Sequence, residues 1–262
     1  MSGDLELIQA AAIKAGEIAL SMRGPDLAAH RKDDGSPVTE ADLAVDRWLR
    51  AELMAARPDY GWLSEETLDD EVGRLGRKRL FVVDPIDGTR DFLRGRRWWG
   101  VSIAVVEDGR PIAGVVRAPD VDQTFTAAEG SGAWLNGAPI HASTVDALED
   151  CRIIADAAML AHPAWAEPWP PMRTSSRNSV ACRLCGAAAG EVDAVLVMSG
   201  KHEWDVAAGD LIAREAGCLV TDHKGRRLAY NRPGEKQTSL VCAGAALQPL
   251  ILRRVRPIGL AN

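Results

Sequence analysis

A surplus of positive charge is the first thing missing from this sequence: 31 lysines and arginines stand against 37 aspartates and glutamates, a net charge of −6. Such a chain has no basic footprint for nucleic acid, so an anionic ligand must be held by local cations or by metal ions. No apolar run reaches membrane-spanning length. The N-terminal segment carries Asp4, Glu6, Lys14 and Glu17 among its apolar residues, so it lacks the basic start and unbroken apolar stretch of a signal peptide. Cysteine is sparse: Cys151, Cys182, Cys185, Cys218 and Cys242 are odd in number and sit mostly in apolar surroundings, as expected of reduced thiols in a cytoplasm. Cys182 and Cys185 form a CxxC, but with no second pair and no nearby His cluster they are expected to be buried thiols, neither zinc ligands nor a redox pair. The five histidines are scattered without metal spacing, and neither an internal repeat nor a disordered tail is visible.

What is present is a 262-residue chain with 47% hydrophobic residues, enough for one large or two modest domains around a sizeable core. Apolar positions at helical spacing (Leu5, Ile8, Ala12, Ala15, Ile18, Ala19, Met22) predict a helix over 4–22 that stops at Gly24-Pro25. The polar loop KDDGSPVTEAD follows and opens a second helix near Thr39. Strand signals then crowd together at 80–83, 101–106, 112–116 and 124–126, with EDGRP as a hairpin turn. From about Cys151 strands and helices alternate. The expectation is an α/β fold in two parts: an α+β domain over 1–145 and an α/β domain over 146–262, with the boundary at 141–150.

The stretch FVVDPIDGTRDF drives a β-branched run into Asp84 and Asp87. Pro85 fixes its own φ and pushes Asp84 into an extended conformation, which predicts a stiff turn at DPID with both carboxylates facing one pocket. Gly88 permits positive φ, and a helix starting at Thr89 would offer free N–H groups to an anion. Carboxylates, amides and a hydroxyl within six residues are the parts that hold divalent cations and a phosphate together; an Asp-Pro turn with an Asx cap explains them equally well. Upstream lies LSEE (Leu63 to Glu66) and downstream EWDVAAGD (Glu203 to Asp210). The haloacid dehalogenase signature DxDGT does not fit, because D-P-I-D is one residue longer.

The acidic pair, DPIDGT and WDVAAG in that order resemble the lithium-sensitive, magnesium-dependent phosphatase superfamily, which includes inositol monophosphatases, histidinol-phosphatases and 3′-phosphoadenosine 5′-phosphate phosphatases. DGSPVTEAD, VSIAVVEDGRPIAGVVRAP and AAEGSGAWLNG extend the resemblance over nearly the whole chain. It implies a layered αβαβα sugar-phosphatase-like fold, a homodimer, two or three Mg²⁺ per site, inhibition by lithium and a metal-activated water as nucleophile. The implied metal ligands are Glu65, Asp84, the Ile86 carbonyl, Asp87 and Asp205. Thr89, partnered by Asp42, orients the water, and phosphate rests on the amides of Gly88 and Thr89. Asp42 reads equally as the third residue of a capping box begun by Thr39. Like charges ~4 Å apart repel by about 4 kcal/mol at an effective dielectric near 20, so converging carboxylates need cations, and oxygen-only ligands favour Mg²⁺ over zinc.

Substrate choice rests on finer signals. Met198 stands seven residues before Asp205, where inositol monophosphatases place a glutamate that contacts inositol hydroxyls. SEE, DGTRDF, EWD and the Tyr-Asn of LAYN lean instead towards the bisphosphate nucleotidases. The expected reaction is therefore removal of the 3′-phosphate of 3′-phosphoadenosine 5′-phosphate, which in the family clears a by-product of sulfate activation. Inositol-1-phosphate and histidinol phosphate are the runners-up, and a non-catalytic nucleotide- or anion-binding protein is the rival from another class. Tyr230 is a candidate for stacking on the purine, with packing as its alternative. Lys32, Arg90, Arg94, Arg96, Arg97 and Lys201 are candidates for a second phosphate, of which about one or two are expected to matter.

Overall fold

The computed structural model describes residues 3–24, 27, 29–32, 35, 37–163, 165–234 and 236–260. Pro25 of the expected helix stop and Asp33, Asp34 and Ser36 of the expected loop lie outside them. The first half runs α1 (Gly3–Met22), β1 (Ala29–Arg31), β2 (Pro37–Thr39), α2 (Glu40–Ala56), β3 (Gly61–Ser64), α3 (Glu71–Leu75), β4 (Arg79–Asp87) and α4 (Thr89–Leu93). It continues through β5 (Gly100–Glu107), β6 (Arg110–Ala118), β7 (Gln123–Ala128), β8 (Ala133–Leu135) and β9 (Ala138–Ile140). Strands β3 to β9 form one seven-stranded sheet in sequence order, antiparallel except for the β3–β4 pair. Asp108 and Gly109, both at positive φ, make the tight β5–β6 turn.

The second half runs β10 (Arg152–Ile154), α5 (Ala157–Leu160), β11 (Arg173–Ser175), α6 (Val180–Ala188), β12 (Ala194–Val197), β13 (Lys201–His202) and α7 (Glu203–Glu215). It ends with β14 (Cys218–Thr221), β15 (Lys236–Gln237), β16 (Leu240–Gly244) and α8 (Gln248–Val255). Five of these strands form a mixed sheet ordered β11-β10-β12-β16-β14. The chain passes from one sheet to the other across 141–151.

Period-two alternation builds the layers. On β4, Phe81 and Val83 enter the core under α1 and α2 with Leu5, Ile8 and Leu49, whereas Leu80 and Val82 enter the core under α6 and α7 with Leu184, Leu211 and Ile212. On β12, Val195 and Val197 face α6 and α7, whereas Ala194 and Leu196 face α8 through Ile251 and Val255. A strand covered on both faces has no polar side, which is why these segments read as unbroken apolar runs. The order of layers is therefore helix, sheet, helix, sheet, helix. Burial of a β-branched or leucine side chain stabilises the fold by roughly 1.5–3 kcal/mol each, so the double-sided strands carry much of the stability.

Alanine and glycine let the middle helix layer lie close to the large sheet. A Cβ built on Gly114 of β6 would stand 3.1 Å from the Ala208 carbonyl oxygen and 3.2 Å from its Cα, both backbone atoms of α7. Ser102 Oγ donates to the Trp204 carbonyl at 3.1 Å, fixing the first turn of α7 to β5. All five cysteines are free and buried; burial pushes the Cys182 thiol up to about 12, which makes it a poor nucleophile. Gly114→Val is expected to cost about 2 kcal/mol by forcing α7 off the sheet, read as a fall of several degrees in the unfolding midpoint. An unchanged midpoint would show that α7 can move without cost.

Candidate active site

The DPID segment departs from the stiff turn expected of it, because β4 continues through it to Asp87. Pro85 has no N–H for the ladder, and the strand absorbs the loss by slipping register: Asp84 pairs with Ser102 but Asp87 with Gly100. Three steps on β4 thus oppose two on β5. In a regular strand residues three apart point to opposite faces; the extra residue brings Asp84 and Asp87 to the same one. Both line a cavity of ≈ 170 Å³ together with Glu65, Thr89, Lys201 and Asp205.

Each acid arrives on a different element. Glu65 follows β3, and its amide donates to the Val83 carbonyl at 3.3 Å. Asp205 is the third residue of α7, where Oδ2 accepts from the His202 amide at 3.1 Å and closes a capping box. Glu65, Asp84 and Asp205 each bring one carboxylate oxygen within 4.8 Å of the other two. Asp84 Oδ1 accepts from the Ile86 amide at 3.0 Å, whereas its buried Oδ2 has no hydrogen-bond partner among the described residues. An unpartnered buried carboxylate oxygen among oxygen donors alone is what a hard divalent cation satisfies, so the residues fit Mg²⁺.

Asp87 lines the same cavity but outside that triad. Its Oδ2 accepts from Ser179 Oγ at 2.6 Å and from the Ala181 amide at 2.7 Å, and its Oδ1 from the Val180 amide at 3.2 Å. It therefore sits on the N-terminus of α6. Gly88, at φ 94°, turns the chain from β4 into α4; a Cβ there would stand 3.1 Å from the Ser179 amide nitrogen. Thr89 opens α4, and its Oγ1 lies 3.3 Å from Asp42 Oδ1 and 3.2 Å from the Ile86 carbonyl. Asp42 does two things at once: Oδ2 accepts from the Thr39 amide at 2.9 Å in the capping box of α2, and Oδ1 meets Thr89.

Burial dominates the electrostatics. It raises the Asp205 carboxyl to about 8, with the charges of Asp87 and Glu65 adding to it. Burial likewise raises Asp87 to about 6 against the hydrogen bond from Ser179, and Asp42 to about 6 against those from Thr39. Asp84 is raised as well, first by burial and then by Glu65, Asp87 and Asp205. One cation is already in place: Lys32 Nζ lies 2.7 Å from Glu65 and 2.8 Å from Glu66. Lys32, a candidate for a second phosphate, is thus committed to carboxylates.

Other expected residues divide. Arg90 and Lys201 line the cavity. Arg94, Arg96 and Arg97 do not, and Arg96 leans on Asp91 at 3.7 Å. Tyr230 requires a correction: it is 1% exposed, lies in the core under α7 and donates its hydroxyl to Asp210 at 2.8 Å, so it cannot reach a purine in this cavity. The alternative reading of that residue, packing, is the one realised. Met198 follows β12 and lines a second cavity of ≈ 630 Å³, which shares Lys201 with the first. Ser179, Val180 and Arg183 of the α6 start were not foreseen. The Ser179 cap, which accepts from the Cys182 amide at 2.9 Å, is legible as a helix start, but nothing local shows that Asp87 docks there.

The sequence profile of the Inositol monophosphatase family matches residues 4–260. The chain belongs to the inositol monophosphatase family. It is a phosphoric monoester hydrolase with Mg²⁺ as cofactor. A histidinol-phosphatase of Mycobacterium tuberculosis is 35% identical over 234 residues, covering 85% of this chain and 88% of that protein. An inositol-1-monophosphatase of Rhizobium meliloti is 33% identical over 197 residues, 72% of this chain and 73% of that protein. The crystal structure described as a Thermotoga maritima IMPase superposes with a TM-score of 0.84 at 27% identity, covering 98% of both chains. The mixed α/β layers are those of that neighbour. Among the described residues no helix is long and apolar enough to cross a membrane.

The raised carboxyls have a thermodynamic consequence. Unfolded aspartates lose their protons near 3.8, whereas Asp205 holds its proton to about 8, so between these values the unfolded chain binds fewer protons. Metal-free stability is expected to fall as pH rises through that window, and Mg²⁺ to restore it. Asp205→Asn removes this charge while keeping an acceptor for the His202 amide. The metal-free variant is expected to melt about 2 °C or more above the metal-free parent at pH 8, and to lose most of the Mg²⁺-induced rise in midpoint. A variant that melts lower at pH 8, or responds to Mg²⁺ as the parent does, would remove Asp205 from the cage.

Proposed function

We propose that this site hydrolyses the 3′-phosphate of 3′-phosphoadenosine 5′-phosphate, yielding adenosine 5′-monophosphate and phosphate. Glu65, Asp84, the Ile86 carbonyl, Asp87 and Asp205 would hold the metal. Bound there, Mg²⁺ supplies the Lewis acidity that polarises the phosphoryl group and activates water. The protein's own part is orientation. When Thr89 donates its single hydroxyl proton to ionised Asp42, its oxygen lone pairs remain as acceptors for a water in the cavity. The amides of Gly88 and Thr89 precede the first turn of α4, where N–H groups have no intrahelical acceptor and suit a phosphate. Arg90 and Lys201 flank that position as cations.

The observation that carries the substrate reading is the second cavity. At ≈ 630 Å³ it is the size of a ligand pocket, it adjoins the carboxylates through Lys201, and Arg183 stands in its wall. An inositol ring would leave much of it to water, whereas a nucleoside with a second phosphate matches both its volume and its cations. Met198, at the position of the inositol-contacting glutamate, offers no hydroxyl acceptor of comparable strength. A second reading, inositol-1-phosphate or histidinol phosphate, is supported by the relatives with those activities in their names.

The test is Mg²⁺-dependent phosphate release from 3′-phosphoadenosine 5′-phosphate, inositol-1-phosphate and histidinol phosphate, compared by kcat/KM. The nucleotide is expected to lead by at least about tenfold; a lead by either other ester sinks the nucleotide reading and leaves the carboxylate chemistry intact. Thr89→Ala is expected to lower kcat on the order of 10²-fold with KM little changed. In the parent, kcat should fall as pH drops below about 6, where buried Asp42 takes up a proton and no longer offers Thr89 a charged acceptor. A Thr89→Ala variant with parental kcat would strip Thr89 of its role.

A further inference from the structure

We propose that Arg183 recognises a second anionic group, a phosphate or carboxylate, carried on the leaving alcohol of the substrate. The inference rests on the reading of the carboxylate cavity as the hydrolytic centre, and it assigns selectivity to a residue of α6 that takes no part in holding metal. Arg183 lies in the first turn of α6 and lines the larger cavity with Asp156, Ser175, Ser176, Met198 and Lys201. Its Nε donates to the Arg177 carbonyl at 2.7 Å and its Nη2 to the Asn178 carbonyl at 3.5 Å. The short bond, with the longer contact beside it, holds one edge of the guanidinium. Nη1 is left without a partner among the described residues.

Arg183 is half-buried, and a cation partly withdrawn from water ordinarily has a carboxylate beside it. Arg183 has none within salt-bridge distance among the described residues; Asp87, Asp205 and Asp91 act on it only through their fields. Burial accordingly lowers its affinity for the proton, the opposite of what the paired arginines Arg23 and Arg152 show. Asp156, the acid in the same wall, spends Oδ1 on the Ala158 and Met159 amides as the cap of α5. The hydroxyls of Ser175 and Ser176 carry no charge. Asp156 makes no ion pair with Arg183, and a planar fork with free donors is suited to a phosphate or carboxylate. Lys201, shared by both cavities, stands between this position and the carboxylates.

The experiment uses substrate pairs that differ only in the second anion: 3′-phosphoadenosine 5′-phosphate against 3′-adenosine monophosphate, and fructose 1,6-bisphosphate against fructose 1-phosphate. Arg183→Gln is expected to raise KM about tenfold for the doubly anionic member of each pair, with kcat within about twofold and the singly anionic member unchanged. Equal changes for both members, as expected of a residue that only braces the Arg177 and Asn178 carbonyls, overturn the proposal. So does no change in either. If the parent turns over the sugar pair but not the nucleotide pair, the nucleotide reading fails and Arg183 is judged on the sugars. Calorimetric titration with adenosine 5′-monophosphate and fructose 6-phosphate supplies a readout free of turnover. Binding about tenfold weaker in the variant supports the assignment, and equal binding overturns it. Arg183→Lys keeps the charge without the fork; should the glutamine variant fail to fold, the same comparisons are made with lysine, with a threefold or larger selective loss expected.

Discussion

Repulsion among buried carboxylates is the constraint around which this molecule is organised. At an effective dielectric near 20, a pair of charges ~4 Å apart costs about 4 kcal/mol, comparable to the whole net stability of many domains. The fold meets that cost by giving three of the five acids the N-terminus of a helix. Asp42 caps α2, Asp87 accepts the Val180 and Ala181 amides of α6, and Asp205 caps α7. Helix N-termini carry positive partial charge, so those of α2, α6 and α7 supply these acids with a field that bonds between side chains alone would not. Glu65 is served instead by Lys32. Asp84 is left with one amide and one unpartnered oxygen, and burial raises its carboxyl well above the usual carboxylate range. The remaining deficit is concentrated on one atom, which is where a cation gains most.

Delivering those helices demands close packing, and the small residues follow from that. The first turn of α7 is tied to β5 through Ser102 and Trp204, and the helix lies against β6 where Gly114 meets Ala208. The run of alanine and glycine in WDVAAGD is therefore a requirement for placing Asp205 over the sheet at the height of Asp84. The β4 slip performs the matching task on the other side. Without the extra residue at Pro85, period-two geometry would turn Asp87 away from Asp84 and away from the start of α6.

These dependences explain what was legible in the sequence. Helices and strands were readable because they rest on local periodicity, and the Thr39 box because a cap and its partner are three residues apart. The carboxylate set was readable only as a pattern of motifs; nothing local distinguishes Glu65 from Glu66, and the structure separates them by the cavity that Glu65 lines. Tyr230 misled because a tyrosine near a motif in sequence reveals nothing of its face, and its hydroxyl had an internal partner in Asp210. The carboxylate partners of Lys32 and the roles of Ser179 and Arg183 were illegible for one reason. The partners of these residues lie far away in sequence or in a cavity that exists only once both sheets flank α6.

The same helix start ties metal geometry to substrate choice. Asp87 rests on the amides of Val180 and Ala181, and Arg183 leaves the same first turn of that helix towards the larger cavity. A shift of α6 along its axis by one residue, about 1.5 Å, would loosen the hydrogen bonds on Asp87 and move the guanidinium by a similar amount. Enzymes lose large factors in rate from misplacements of about 1 Å. Selectivity in this chain is therefore expected to change by exchanging side chains around a stationary α6, at positions such as 183 on the helix and 198 after β12, and not by moving the helix. The second half of the chain can diversify what is bound only while the backbone of its first helical turn stays where the carboxylates of the first half need it.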